Sequence, residues 1–366
     1  MHSDRPIRVA FCWTNISGYM AACWRALAAR GEVDLRVMAY RAGGSSNSGF
    51  SEEIMTGIRC RLLDAQERLD PTLIEDWVVA QEPDVVVTTG WWQKNLRRLA
   101  TAPRLRGRAF ITGLDTPWRT PLQYFNRIRV GGYMRRLDRV VVAGERAWQH
   151  ARNLGVPEHR IGRGQYGVDW TGLGDAVAER SKAPWPGRFL FVGRYVREKG
   201  IDVLLDGYAS YRDSVDNPWP LDCCGMGPLS AQLRGAAGVT DLGFVQPSEM
   251  RTQWQVAGAF VIPSRFDPWP LALVEAAASG LPIIASEACG SSVEVLRHDY
   301  NGLRVPTGDP HALAAAMISL HRRHGDLPLW GQRSRELAAP YSAEAWTEKW
   351  MGHIRTALEE RAGRTR

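Results

Sequence analysis

Short runs of consecutive apolar residues alternate along this chain with longer stretches in which apolar positions recur every three or four residues. Runs of the first kind, such as the valines of "PDVVVTT", read as parallel strands covered on both faces, because a strand between two helical layers keeps no polar side. Stretches of the second kind read as crossover helices. In the first half the pattern predicts strands over 7–13, 33–40, 58–63, 84–88, 108–112 and 139–143, with helical periodicity at 20–30 and 71–80. The rhythm breaks over 162–186, rich in Gly and Pro, then restarts with strands over 188–193, 221–225, 239–242, 259–263 and 282–285. Helices are expected to begin near Lys199, Pro228, Ser248, Leu271 and Asp309. From Ala343 to about Glu360, the residues Trp346, Trp350, Ile354 and Leu358 fall four apart, the apolar stripe of one long helix.

Such alternation predicts an α/β chain with parallel sheets. Its 366 residues exceed what one core usually organises. The expected organisation is two Rossmann-like, doubly wound domains over 1–165 and 187–340, with a linker at 166–186 and a final helix at 341–366 packing back on the first domain. Domains of this kind bind ligands at the carboxyl ends of their strands, where two of them can face each other across a cleft.

Composition narrows the class. No apolar run approaches the roughly 20 residues that span a bilayer. The first apolar run is too short for a signal-peptide core and lacks a small-residue cleavage site, so a cytoplasmic protein is expected. Six scattered cysteines show neither zinc-ligand spacing nor the density of a disulfide scaffold, and read as reduced core thiols. The net charge of +7 is uneven: twelve Lys or Arg lie between Lys94 and Arg139, against two acids, Asp115 and Asp138. That window reads either as solvated helix faces or as a surface for something anionic, including peripheral contact with the inner face of a membrane. No zinc-finger, RNA-recognition or homeodomain pattern accompanies it, so nucleic acid is not an expected partner.

The most informative stretch is "PSRFDPWPLALVEAAASG", residues 263–280. Asp267 follows a predicted buried strand, and Glu275 lies about one turn inside the helix that begins near Pro270 and Leu271. Proline suits an early helical position because its missing N–H would have no intrahelical partner. The helix start offers free N–H groups and a positive dipole end to an anion. Two carboxylates there suit sugar and ribose hydroxyls rather than phosphate. Upstream, "FLFVGRYVREKG" runs a strand into a glycine loop carrying Gly193, Arg194 and Lys199, cations able to neutralise a pyrophosphate without a metal. No Asp-x-Asp pair exists in the chain, and the histidines lack ligand spacing, so neither metal nor cofactor is expected. No G-x-G-x-x-G opens the helix after either domain's first strand, which disfavours a nicotinamide enzyme.

In the second half, "FVGRYVREKGIDVLLDGY", "CCGMGPLSAQL", "LGFVQPSEM", "PSRFDPWPLALVEAAASGLPIIAS" and "NGLRVPTGD" together resemble glycosyltransferase family 4, the retaining enzymes of GT-B fold. "PDVVVTTGWW", "RVVVAGERAWQHARNLGVPEHRI" and "YGVD" are similar to its less diagnostic segments. The resemblance implies transfer of a sugar from a nucleoside diphosphate to an acceptor hydroxyl on a glycan, lipid-linked or small-molecule substrate. It assigns Arg194 and Lys199 to the donor diphosphate, Glu275 to the ribose, Asp267 to the neighbourhood of the transferred sugar, Phe244 and Val245 to the base, and the loop ending at Gly18 to the phosphates. Three positions depart from the family pattern. Asp267 replaces the commoner glutamate; Pro268 and Pro270 remove N–H donors; and Asp115 stands where many members keep a histidine near the anomeric carbon. Trp91, Trp92 and Trp118 follow first-domain strands and either line the acceptor side or belong to the core. Alternatives are an epimerase or phosphorylase of the same fold, or a non-catalytic nucleotide-sugar binder.

Overall fold

The computed structural model describes residues 5–41 and 49–365. The chain divides into two compact units, Met1–Gly167 with Ala343–Arg366, and Val168–Ser342. The first unit is built, among the described residues, on β1 (Ile7–Cys12), β2 (Val33–Tyr40), β3 (Cys60–Leu63), β4 (Val85–Thr89), β5 (Ala109–Leu114), β6 (Arg139–Val142) and β7 (Ile161–Arg163). They lie in the order β3-β2-β1-β4-β5-β6-β7, every pair parallel. Alternate residues of β1 go to opposite faces: Val9 and Phe11 join one apolar layer, Ala10 and Cys12 the other. Both faces are therefore covered, which is why the strands read as unbroken apolar runs.

The long C-terminal helix, Ala343–Thr365, completes the first of those layers. The Phe11 ring lies 5.7 Å from Trp24 of the first helix, Gly18–Ala28, and 5.1 Å from Trp350 of the last. Trp346 donates its indole N–H to Gln165 O at 2.9 Å, and Trp350 donates to Gly164 O at 3.0 Å. Near the helix end Arg361 and Arg364 reach the fully buried Asp138 at 2.8 and 3.3 Å. The helix thus belongs to the first unit through its own apolar stripe and a buried ionic clasp.

The second unit repeats the plan with β8 (Phe189–Val192), β9 (Leu221–Cys224), β10 (Val239–Asp241), β11 (Ala259–Ile262), β12 (Ile283–Ser286) and β13 (Gly302–Val305). Their order is β10-β9-β8-β11-β12-β13, again all parallel. The sheet core is drawn from residues such as Phe189, Phe191, Phe260 and Ile283.

The segment expected to be a linker, 166–186, is corrected. It contains the helix Trp170–Arg180, which opens the second unit. Asp169 caps it, accepting from Gly172 N at 3.1 Å. Its last residue, Arg180, is buried and donates to the carbonyls of Ser279 and Gly280 at 2.9 and 3.1 Å. Gly172 and Gly174 dilute the periodicity of this helix, and its stability comes from packing rather than propensity. Two short strands, β7 and β13, also stand beyond the expected set; each lies at an edge of its sheet. All six cysteines are free thiols, and all but Cys60 are buried. Among the described residues no helix is long and apolar enough to cross a membrane.

Candidate functional site

In the second unit the chain passes from β8 to β9 and β10 on one side, then crosses back to add β11 on the other. Loops leaving β8 and β11 therefore diverge, and a doubly wound sheet opens its binding crevice at such a reversal. Gly193, Arg194 and Lys199 lie in the loop after β8, and Asp267 in the loop after β11. The two loops meet there: the Lys199 ammonium donates to Asp267 Oδ2 as an ion pair, with Asp267 buried and Lys199 mostly so. Arg194, on the same loop, is exposed and makes no side-chain hydrogen bond or ion pair among the described residues.

Backbone fit explains why these loops come so close. Gly200 sits at φ +68°, and a Cβ there would lie 2.2 Å from Pro263 O, so the loop after β8 rests directly on the end of β11. At Gly225 a Cβ would lie 1.9 Å from Gly193 O. Gly193 N donates to Cys224 O at 3.0 Å and Tyr195 N to Met226 O at 2.8 Å, joining the loops after β8 and β9. The loop after β10, carrying Phe244 and Val245, is joined to them through Tyr195 and Asp241. Tyr195 donates its hydroxyl to Asp241 Oδ1 at 2.8 Å, and the same oxygen accepts from Gly243 N at 3.0 Å. Burial and the bond to Asp241 push the Tyr195 phenol well above its ordinary range, so it stays a donor. Asp241 is a positioning residue that the sequence reading missed, for nothing in its local pattern points to a tyrosine 46 residues away.

Pro270 is the N-cap of the helix Leu271–Ala278 rather than its first turn; its carbonyl accepts from Leu273 N at 3.2 Å and from Ser291 Oγ at 3.0 Å. Leu271 N–H and Ala272 N–H, at the helix start, have no intrahelical acceptor by position. Glu275 lies in the second turn, with no side-chain hydrogen bond among the described residues. Burial, with a smaller contribution from the charge of Asp169, pushes its carboxyl up to about 7. Asp169 is the second residue missed, although "YGVD" had been singled out. The structure thus unites Lys199 with Asp267, keeps Arg194 on the same loop as Lys199, and sets Glu275 one turn inside the following helix, near the charge of Asp169.

In the first unit Gly18 begins the first helix, behind the buried cap Ser17, which accepts from Met20 N at 3.4 Å. Asp115 follows β5 and accepts from Tyr166 Oη at 2.9 Å. Trp92 is exposed, whereas Trp91 packs against the core and Trp118 stacks edge-on to Tyr124 at 4.7 Å. Only Trp92 presents most of its ring to solvent.

Comparison with known proteins bears on the fold and on the second unit. Residues 186–323 match the family described as glycosyl transferases group 1. The chain is 29% identical over 196 residues to the amylovoran biosynthesis glycosyltransferase AmsK of Erwinia amylovora, covering 50% of this chain and 47% of that one. It is 28% identical over 232 residues to the D-rhamnosyltransferase WbpZ of Pseudomonas aeruginosa, covering 57% and 59%. The match to the exopolysaccharide phosphotransferase SCO2592 of Streptomyces coelicolor, 30% identical, spans 43% of this chain and 17% of the relative. The chain thus spans less than two thirds of the length of these curated relatives. Among solved structures, Anabaena Alr3699/HepE in complex with UDP and glucose superposes with a TM-score of 0.72 at 17% identity, over 94% of this chain and 98% of that one. A sucrose-phosphate synthase from Thermosynechococcus elongatus gives 0.72 at 17%, over 95% and 98%. The fold is therefore GT-B, two parallel-sheet α/β domains. Within the second unit, the likeness to group 1 glycosyl transferases is confined to residues 186–323.

Proposed function

We propose that this protein transfers a sugar from a nucleoside-diphosphate sugar to an acceptor hydroxyl, with retention at the anomeric carbon and without a metal or other cofactor. The observation that carries the reading is the meeting of Lys199 and Asp267 at the β8/β11 reversal, with Arg194 on the same loop as Lys199 and a helix start at Leu271. In this reading Arg194, Lys199 and the Leu271 and Ala272 N–H groups take the diphosphate. Negative charge grows on that group as the glycosidic bond breaks, and fixed donors in a water-poor site stabilise it most there. Asp267 stays close to the departing sugar, held by Lys199. Glu275 accepts from the ribose hydroxyls, and Phe244 and Val245 present backbone groups to the base.

The charge balance supports the assignment. Two carboxylates would repel a diphosphate, yet Asp267 is neutralised by Lys199, and burial leaves Glu275 only partly ionised near neutral pH. In this reading the acceptor attacks on the face the diphosphate leaves. In the same reading the acceptor is a hydroxyl on a glycan, lipid-linked or small-molecule substrate, with Asp115 and the exposed Trp92 as candidate acceptor contacts.

A thermal-shift panel of nucleotides and nucleotide sugars, followed by product analysis, tests the proposal. A donor that raises the melting point, then yields free nucleoside diphosphate and a glycosylated acceptor, supports transfer; product without glycosylated acceptor indicates an epimerase or phosphorylase, and binding with no diphosphate release indicates a binder. Retention requires the product anomer to match the donor, and added EDTA should leave turnover unchanged. Lys199→Ala is expected to lower turnover at least about tenfold, since removing one charge-stabilising donor costs about a hundredfold or more; near-normal turnover would take Lys199 out of the diphosphate site.

A further inference from the structure

The twelve cations expected between Lys94 and Arg139 are not one uniform surface. Arg104 is engaged with Asp76, and Arg139 donates to His159 O at 3.1 Å and faces Glu360 at 4.0 Å. Different chemistry appears on the turn Pro121–Tyr124 and the helix Phe125–Met134 that continues it. There Leu122, Phe125 and Ile128 are 72%, 68% and 84% exposed. Their spacing of three stacks them along one side, since residues three apart eclipse in a 3-10 turn and neighbour each other in an α-helix. The opposite side of the helix is secured: Val130, Tyr133 and Met134 are buried in the second apolar layer of the sheet, and the Tyr133 hydroxyl bonds with Thr88 and Thr112 at 3.1 and 3.3 Å. The outward ridge is therefore a permanent feature of a docked helix. Contiguous exposed apolar surface of this sort marks an interaction site.

Charge selects the partner. Arg129 flanks the ridge, while Arg127 lies further round the helix with its guanidinium against Gly155; both are exposed and without an ion pair among the described residues. No acid occurs between 116 and 137. The two acids bordering that interval are occupied elsewhere: Asp115 accepts from Tyr166, and Asp138 is fully buried against Arg361 and Arg364. A second copy of the same face would set arginine against arginine, and a nucleic acid could stack on Phe125 but would leave Leu122 and Ile128 without an apolar partner. We propose that this ridge docks on an anionic lipid bilayer, with Leu122, Phe125 and Ile128 entering the headgroup boundary and Arg127 and Arg129 pairing with lipid phosphates. The proposal is independent of the donor-site reading, because it can be tested without any nucleotide or acceptor.

Co-flotation of the whole chain with vesicles of phosphatidylcholine plus phosphatidylglycerol, or of phosphatidylcholine alone, decides it. Recovery with the anionic vesicles is expected and should fall with added salt; neutral vesicles should recover little. F125S/I128S keeps the charge and should cut recovery at least about fivefold through lost apolar burial. R127Q/R129Q keeps the ridge and should cut it about tenfold or more. All four positions are exposed, so melting points should stay at the wild-type value, which separates lost docking from lost folding. Equal recovery with both vesicle types, or wild-type recovery by F125S/I128S, overturns the proposal. So does a wild-type dimer in sedimentation that F125S/I128S converts to monomer, since the ridge would then be a contact between copies.

Discussion

The carboxyl of Glu275 is pushed up to about 7 by burial and then by Asp169, and two measurable consequences follow. The folded chain holds this proton more tightly than the unfolded chain does. Its linked stability is therefore complete below the ordinary carboxylate range and is lost as pH rises towards 7. Glu275→Gln should accordingly stabilise the protein at pH 8 and not at pH 4; since one pKa unit is worth about 1.4 kcal/mol, the gain is at most about 3 kcal/mol. Urea unfolding at the two pH values checks this, and equal shifts at both would refute it. If ribose hydroxyls donate to this carboxylate, donor binding favours its ionised form. Affinity for a nucleotide sugar should then rise several-fold from pH 6 to pH 8, and Glu275→Gln should abolish that slope while weakening binding overall. Isothermal titration with a nucleotide sugar is suitable, because its diphosphate does not titrate in this range.

At the scale of elements, the site is a set of loops after four sheet strands, β8, β9, β10 and β11. Gly200 is required twice over, by its left-handed φ of +68° and by the 2.2 Å approach of Pro263 O. Gly200→Ala should destabilise the second unit by more than 1 kcal/mol and loosen the pairing of Lys199 with Asp267; a wild-type melting point would contradict this. The C-terminal helix gives a second test. Trp350 is fully buried between Phe11 and Trp346, and Trp350→Ala should cost about 3–5 kcal/mol. Because that helix is part of the first unit, the loss should appear in hydrogen exchange of β1 and β4 before that of β8 and β11.

At the scale of the whole molecule, two units of similar plan share one chain that leaves the first, builds the second and returns. A ligand that binds only the folded second unit stabilises it by mass action, about 2.7 kcal/mol at one hundred times its dissociation constant. Saturating nucleotide sugar should therefore raise the unfolding transition of Val168–Ser342, and F125S/I128S should leave that shift untouched. A shift abolished by F125S/I128S would mean that the exposed ridge and the strand-end loops are not separate surfaces.

The sequence by itself determined most of the scaffold. Parallel strands covered on both faces are apolar along their whole length, so "PDVVVTT" and "FLFV" declare themselves without a structure, and the four-residue spacing of Trp346, Trp350 and Ile354 announces a packed helix. Lys199 and Asp267 were legible as candidates because each lies in a loop that leaves an apolar strand, and Glu275 because it stands on the helix that follows. Tertiary structure alone decided how those candidates are engaged. The pairing of Lys199 with Asp267 spans 68 residues, and that of Tyr195 with Asp241 spans 46; such contacts depend on strand order, which local patterns do not encode. The same holds for the helix Trp170–Arg180, hidden by its glycines until burial of Leu173 and Ala176 stabilised it. It holds too for the basic window, whose charge was visible in the sequence but whose exposed apolar ridge depends on which face of one helix the sheet leaves uncovered.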